Sequence, residues 1–212
     1  MTESASIGLS ELELDALTEL VNLGVSNAAL SLREMVREEV LLSVPKVAMV
    51  SRAKAIENLG EQGAKRLVAV RQDFEGDITG RALLIFPEAK SMELVRALVG
   101  GTLSLEDITE LEQEALAETG NILLNGCLGT IANYFQRSLK ISLPEVIYGE
   151  GFEFFKSTRA AEIGDSVLFV HINFSIRNRD IQGYIAMLLD IPSLVTLKEL
   201  VRAFIQRTVD SV

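Results

Sequence analysis

Hydrophobic residues follow two different periodicities, in the same order in each half of the chain. From Val68 to Phe74, and again from Leu168 to Ile176, they alternate with a period of two, which is typical of strands with one buried face. Continuous apolar runs follow at residues 82–86 and 184–189, and each predicts a central strand of a hairpin. Near the start, apolar residues instead recur every three or four positions and predict one helix face, formed by Leu14, Leu17, Val21, Gly24, Val25, Ala28, Leu32 and Met35.

The two halves also match each other residue by residue. At an offset of 99 residues, Ser10 and Glu13 recur as Thr109 and Glu112, and both pairs have the spacing of a capping box. We therefore expect a long helix to begin at an equivalent place in each half. The sequence predicts a single domain, residues 1–212, made of two repeats at 10–100 and 109–212.

Each repeat contains a long helix, a strand near a proline, a short helical or irregular piece, two strands and a closing helix. The motif Asp-Ile-x-Gly, at residues 77–80 and 180–183, predicts the hairpin turn between the two strands. Strands from one repeat cannot cover their own apolar face, so the repeats are expected to share a core. The predicted fold is α+β, a pseudo-two-fold internal duplication that shares one mostly antiparallel sheet flanked by helices.

Composition excludes several classes of partner. The chain has 212 residues, of which 48% are hydrophobic, and 30 acidic against 20 basic residues give a net charge of −10. Without a basic cluster, neither nucleic acid nor an anionic membrane surface is an expected partner. No apolar run approaches the roughly 20 residues of a spanning helix, and the start has no secretory signal, so we expect a cytoplasmic protein.

The usual chemical groups of enzymes are scarce. Cys127 lies in an apolar helical stretch and is expected to be a small buried hydrophobe, while His171 is expected to be an ordinary strand histidine. One residue of each type cannot form a disulfide framework or an ordinary zinc site. The scattered glycines match no phosphate-binding loop. We expect neither a metal nor a cofactor of the chain's own.

Polar residues form a ridge opposite the apolar stripe of each long helix. Spacing at i, i+4 and i+7 stacks them on one side. Asparagine is a mediocre residue in a helix interior, so its occurrence at the same register beside the same glutamate favours a function over an idle solvated face. The ridges consist of Asp15, Glu19 and Asn22 in the first helix and of Glu114, Glu118 and Asn121 in the second.

A carboxamide can hold a water molecule in line with a phosphoryl group, because it carries both donors and an acceptor. The remaining parts of such a reaction have to come from the substrate. A phosphorylated aspartate in a receiver domain has a labile acyl phosphate and a bound magnesium ion, which leaves water placement as the missing contribution.

The doubled motif resembles the signature of the CheC/CheX/FliY family of chemotaxis phosphatases, which dephosphorylate phosphorylated CheY. In the two copies it reads Asp15-x3-Glu19-x2-Asn22-x22-Pro45 and Glu114-x3-Glu118-x2-Asn121-x22-Pro144. The layout of two copies without an added C-terminal domain is most similar to CheC. Where the family has Asp or Ser at the first position, the second copy has Glu114, and this departure favours the first site as the more active one.

The resemblance implies a role for each motif residue. Asn22 and Asn121 would orient the hydrolytic water, and Glu19 and Glu118 would pair with the active-site lysine of the regulator. Asp15 and Glu114 would contribute to docking, whereas Pro45 and Pro144 are expected only to set the start of a strand. Magnesium is expected on the partner receiver, and the receptor deamidase CheD is a further implied partner.

Two other functions stay open at this point. The same helix faces could dock a receiver domain or a flagellar switch component without catalysis. The middle domain of the switch protein FliM is similar but lacks the Glu/Asn pairs, so their double presence favours an enzyme. Regulation of CheD is compatible with phosphatase activity.

Overall fold

Each half of the chain begins with a long helix, and the second half has two short strands where the first has one long strand. A computed structural model describes residues 8–36, 39–60, 66–99, 105–156, 163–176 and 179–210. Its helices are α1 (Glu11–Val36), α2 (Arg52–Gly60), α3 (Glu88–Val99), α4 (Leu105–Phe135), α5 (Gly151–Phe154) and α6 (Ile191–Val209). Its strands are β1 (Val40–Ser51), β2 (Leu67–Gly76), β3 (Gly80–Pro87), β4 (Leu139–Ile141), β5 (Glu145–Gly149), β6 (Ile163–Ile176) and β7 (Arg179–Asp190).

All seven strands join one sheet in the order β1-β6-β7-β3-β2-β4, with β5 also paired to β2. Every described pairing is antiparallel. Each outer strand comes from the opposite half of the chain, since β1 pairs with β6 while β4 and β5 pair with β2. The predicted α+β class with a mostly antiparallel sheet is confirmed. The division into repeats at 10–100 and 109–212 stays a prediction, and residues 100–104 at its boundary lie outside the described residues.

The sheet has a hydrophobic core on each face. Residues of β2 alternate between them: Val68 and Val70 pack under the long helices, and Leu67 and Ala69 pack under the short helices α2 and α5. The central strands β3 and β7 contribute to both cores. Burial on both faces is the physical reason for the continuous apolar runs that predicted central strands.

The long helices α1 and α4 approach each other closely at glycines. A Cβ atom on Gly24 would lie 2.7 Å from the Cα atom of Cys127 and 2.8 Å from the carbonyl oxygen of Gly126. Gly24 therefore has no room for a larger side chain. The contact holds the two helices that carry the predicted ridges directly side by side.

The first predicted capping box is confirmed, and the second is wrong. The Ser10 N–H donates to Glu13 Oε2 at 2.7 Å, and the Glu13 N–H donates to Ser10 Oγ at 3.3 Å. Helix α4, however, begins at Leu105, so Thr109 lies inside it. The Thr109 and Glu112 N–H groups therefore lie beyond the first four residues of the helix and are not among the free donors that a capping box serves.

Two further predictions need correction. Residues 77–79 connect β2 to β3 as predicted, but the second Asp-Ile-x-Gly lies within β7, where Asp180 pairs with Ser175. Residues 177–178, between β6 and β7, lie outside the described residues. In α1, Met35 is 41% exposed because it lies in the last turn, while Leu17, Val21, Val25, Ala28 and Leu32 are buried as predicted.

Candidate functional site

Each predicted ridge lies on one long helix. On α1, Asp15 and Glu19 are exposed and Asn22 is half-buried. The second ridge has the same exposure pattern on α4, with Glu114 and Glu118 exposed and Asn121 half-buried. Because residues three and four apart lie on the same side of a helix, Glu19 and Glu118 each lie about one turn from the asparagine of their ridge. The structure thus presents two separate Glu/Asn pairs on neighbouring helices.

Asn121 is held by two amide donors. Gln72 Nε2 donates to Asn121 Oδ1 at 3.2 Å, and Asn125 Nδ2 donates to the same oxygen at 2.7 Å. A carboxamide oxygen has two lone pairs, so both acceptor positions of Asn121 are occupied. The part of the side chain left for another ligand is its Nδ2 group, which makes no hydrogen bond to any described residue.

Ser142 determines which way these amides face. Gln72 Nε2 also donates to the Ser142 carbonyl oxygen at 2.9 Å. A carbonyl oxygen can only accept, so the Gln72 atom between Ser142 and Asn121 is its nitrogen, and the Asn121 atom facing it is the oxygen. Ser142 is itself fixed to β2, since its N–H donates to the Asp73 carbonyl oxygen at 2.8 Å and its Oγ accepts from the Asp73 N–H at 2.9 Å.

Sheet register identifies the corresponding positions near the first ridge. On β2, Val70 pairs with Leu84 on one side and with Val146 on the other. On β6, Val170 pairs with Ile185 and with Val47 in the same way. Gln72 lies two residues after Val70 on β2, and Ile172 lies two residues after Val170 on β6. Ile172 is therefore the counterpart of Gln72.

The first site lacks the supporting amides of the second. Ile172 is fully buried and apolar, and Ser26, which stands where the second helix has Asn125, is exposed. Among the described residues, no hydrogen-bond partner faces the Asn22 side chain. The two asparagines therefore occupy matching positions but differ in how they are held.

Sequence reasoning missed Gln72, although a signal for it was present. The period of two along β2 places Gln72 on the inward side between Val70 and Phe74, and the structure leaves it only 1% exposed. A polar residue at an inward strand position has to find partners in the core, which is a reason to examine it for function.

Apolar surface adjoins both ridges. Beside the first, Asp15 and Glu19 line a groove of about 580 Å³ between α1 and α6, together with Leu12 and Phe204. Beside the second, Leu143 follows Ser142 and is 89% exposed. Apolar surface next to carboxylates suits a protein partner with complementary basic groups.

The signature prolines differ in their placement. Pro144 directly precedes β5, as predicted. Pro45 lies within β1 instead, where the pairing with β6 shifts between Ser43 and Lys46. Because proline has no N–H to donate, the ladder is interrupted there rather than started.

Cys127 and His171 lie as predicted. Cys127 is fully buried, and burial raises the pKa of its thiol to about 12, so it behaves as a small hydrophobe. His171 is half-buried on β6 and stacks on Tyr184, with ring centroids 5.1 Å apart. Burial, and then the charge of Lys46, lower the pKa of His171.

Metal-ligand clusters and membrane spans are both absent from the part of the chain that the structure describes. No three or more His, Cys, Asp or Glu side chains there are grouped so that they could hold a metal ion. Nor is any of the described helices long and apolar enough to cross a membrane.

Comparisons with known proteins agree with this arrangement. The family model "Chemotaxis phosphatase CheX" matches residues 68–163, which include the second Glu/Asn pair. The CheY-P phosphatase CheC of Bacillus subtilis (strain 168) is 30% identical over 143 residues, covering 66% of this chain and 68% of that protein.

Solved structures share the fold. FliY of Thermotoga maritima superposes with a TM-score of 0.69 at 17% identity, covering 92% of this chain and 98% of that one. CheX in a CheX–CheY–BeF3–Mg²⁺ complex from Borrelia burgdorferi gives a TM-score of 0.50 at 18% identity, covering 78% of this chain and 95% of that one.

The antiparallel sheet with two long helices, together with these relatives, identifies the class of protein as a chemotaxis phosphatase. The chain belongs to the CheC/CheX/FliY family of chemotaxis phosphatases. Its two pairs and its similarity to the Bacillus subtilis protein are those of a CheC-like member.

Proposed function

We propose that this chain hydrolyses the aspartyl phosphate of a CheY-like response regulator in chemotaxis signalling. The observation that carries the proposal is the pair of Glu/Asn ridges on α1 and α4, in a chain that belongs to a family of chemotaxis phosphatases. The relative from Bacillus subtilis is a CheY-P phosphatase, and the CheX structure was solved in complex with CheY, BeF3 and Mg²⁺. The reaction would take place in the cytoplasm.

In this reaction, Asn22 and Asn121 place the attacking water. The water oxygen forms a bond to phosphorus while the bond from phosphorus to the aspartyl oxygen breaks. The products are the free aspartate carboxylate and inorganic phosphate, which keeps both water protons. At the second site the Asn121 Nδ2 group donates to the water oxygen, because Asn121 Oδ1 is already occupied. Placement of this kind lowers the barrier without a nucleophile from the phosphatase.

The carboxylates act in docking. Glu19 and Glu118 pair with the active-site lysine of the receiver, and Asp15 and Glu114 contact the receiver one turn before them. All four are exposed, so they can meet a partner without rearrangement of the fold. The magnesium ion belongs to the receiver, where it neutralises charge on the phosphoryl group.

The test is phosphate release from a panel of phosphorylated receivers. The wild-type chain should accelerate release from a cognate receiver, and the Asn22→Ala, Asn121→Ala double variant should bind that receiver and fold normally while losing the acceleration. A wild-type chain that binds receivers without accelerating phosphate release would instead be a non-catalytic docking module. The same outcome in wild type and double variant would contradict the assigned asparagines.

CheD is proposed as a further partner on the strength of the family resemblance alone. Copurification of this chain with the CheD of the same genome tests it. The double asparagine variant is the informative control, since CheD binding that survives it would separate the docking surface for CheD from the phosphatase sites.

A further inference from the structure

We infer that Gln72 is a positioning residue of the second site, where its buried amide turns the Asn121 side chain so that Nδ2 faces the attacking water. The inference rests on the proposed function and adds a residue outside the family signature. Gln72 does not touch the reacting atoms itself. It acts through the hydrogen bond of 3.2 Å from its Nε2 atom to Asn121 Oδ1.

Gln72 is a rigid support. It is 1% exposed, it pairs with Ala82 of β3, and its nitrogen is also committed to the Ser142 carbonyl oxygen, between β4 and β5, at 2.9 Å. Ser142 is bonded twice to the backbone of Asp73, the residue that follows Gln72. The orientation of the Asn121 amide is therefore set by the sheet and not by the helix alone.

Retaining a glutamine at this position costs stability. Its Oε1 atom is buried without a hydrogen-bond partner among the described residues, and so is the Oδ1 atom of Asn125. A buried acceptor without a donor is unfavourable. At the corresponding register position on β6 the chain has Ile172, a fully buried apolar side chain. A polar group kept despite such a cost is typical of a functional site.

The two sites consequently differ in preorganisation. The Asn121 amide is fixed by Gln72 and Asn125, whereas no hydrogen bond among the described residues selects one of the two orientations of the Asn22 amide. Only one of these orientations places the water as proposed, so the second site should turn over faster. The departure from the family pattern at Glu114 favours the first site, and the hydrogen bonds reverse that expectation.

The experiment isolates the second site with Asn22→Ala and then adds Gln72→Met, which keeps the side-chain length and removes the donor. The kcat for receiver dephosphorylation should fall roughly 10- to 100-fold, the effect of a misplaced catalytic group. The receiver concentration at half-maximal rate should stay the same, because Glu118 is untouched. Added to Asn121→Ala, the substitution should lower the rate no further, since the group that it positions is absent.

Thr119→Val is the matched control for a general loss of stability. It removes another buried hydrogen bond of α4, from Thr119 Oγ1 to the Ala115 carbonyl oxygen at 2.7 Å. In the Asn22→Ala background this variant should keep its kcat even where its melting temperature falls as much as that of Gln72→Met. Equal kcat losses in the two variants would overturn the positioning role, as would an unchanged kcat in Gln72→Met or an inactive Asn22→Ala single variant.

A spectroscopic measurement separates this inference from the proposed function. In NMR spectra, the side-chain amide protons of Gln72 should exchange slowly with solvent in the wild type and faster in Asn121→Ala, because the acceptor Asn121 Oδ1 is then lost. Exchange at the same rate in both proteins would overturn the inference whatever the activity. A wild-type chain with this slow exchange but without activity on any receiver would overturn the proposed function and leave the role of Gln72 in orienting Asn121 intact.

Discussion

Leu84 and Ile185 face each other across the two central strands, and the pairing on either side of them is symmetric. Leu83 pairs with Ala186 on one side, and Ile85 pairs with Tyr184 on the other. Leu84 and Ile185 therefore belong to the strand pair that joins the two halves of the chain. The outer strands differ, since the long strand β1 flanks one side of the sheet and the short strands β4 and β5 flank the other.

Because the asparagines lie on different helices, the two sites should work independently. Asn22→Ala and Asn121→Ala should each leave the activity of the other site, and the two residual rates should add to about the wild-type rate. The larger loss is expected for Asn121→Ala. Dephosphorylation of one receiver by each single variant measures this. A single substitution that abolishes all activity would contradict independent sites.

Glu19 and Glu118 should contribute to binding more than to turnover. Changing both to Gln should weaken receiver binding by about 1–3 kcal/mol, because each carboxylate would pair with a cation in a partly desolvated interface. Titration calorimetry at low and high salt should find a strong salt dependence in the wild type and a weaker one in the variant. Glu57→Gln, on the opposite face of the sheet, is the control, and binding that ignores salt in all three proteins would argue against this role.

Gly24→Ala should destabilise the chain by about 1–3 kcal/mol, because the new methyl group would push α1 away from α4. Its Cβ atom would lie 2.7 Å from the Cα atom of Cys127. Gly129 on α4 is the matched control, since a Cβ atom added there would have nothing within 4 Å of it. Gly129→Ala should be neutral or stabilise by up to about 1 kcal/mol through helix propensity. Urea unfolding of both variants measures the difference, and equal midpoints would contradict the close helix contact.

Glu13 links α1 to α6 and should make stability depend on pH. It is 4% exposed and accepts from Arg202 Nε at 2.6 Å. Burial alone would raise its pKa, but the Ser10 N–H, Arg202 and Lys198 together lower it. Because the pKa of Glu13 is lower in the folded chain than in the unfolded one, the charged carboxylate stabilises the fold at pH values above the ordinary Glu pKa of about 4.3. This stability is lost as the pH falls through the pKa of Glu13 in the folded chain.

Glu13→Gln should therefore cost about 1–2 kcal/mol at neutral pH, since it removes the charge from these bonds. The difference from the wild type should vanish at acid pH, which unfolding curves over a pH series would measure. A difference that is constant with pH would place the effect in packing and not in the charge.

His171 is the single histidine of the chain, so its titration can be followed without assignment work. Burial and the charge of Lys46 lower its pKa below the ordinary value of about 6.5. The pKa of His171 is therefore higher in the unfolded chain than in the folded one, so the unfolded chain binds a proton first as the pH falls. The contribution of neutral His171 to stability is present above about pH 6.5 and is lost as the pH falls below that ordinary pKa. Lys46→Gln should raise the pKa in an NMR titration. A pKa that stays unchanged would leave burial as its whole cause.

Features of the site that depend on residues close together in the sequence could be predicted, and features that depend on contacts between distant segments could not. The Glu/Asn ridges follow from spacing within one helix, and the structure exposes their carboxylates as predicted but leaves Asn22 and Asn121 half-buried. Gln72 could not be connected with Asn121 in the same way, since 49 residues separate them and the contact depends on how α4 packs on β2. The capping box at Thr109 was wrong because the motif alone does not determine where a helix begins, and α4 begins at Leu105.

Strand exchange between the two halves has a consequence for how the chain acquires its structure. Val40 at the start of β1 pairs with Ile176 at the end of β6. The strand that is synthesised first therefore cannot pair until one of the last strands has been synthesised. Closure of a loop of this length is entropically costly, and proteins dominated by such distant pairings fold slowly. Until β6 has been made, β1 has no neighbour in the sheet, and until β4 and β5 have been made, one edge of β2 is open to other chains. The N-terminal half should therefore gain protection from proteolysis only after release of the complete polypeptide, and dependence on chaperones should be greatest in that interval.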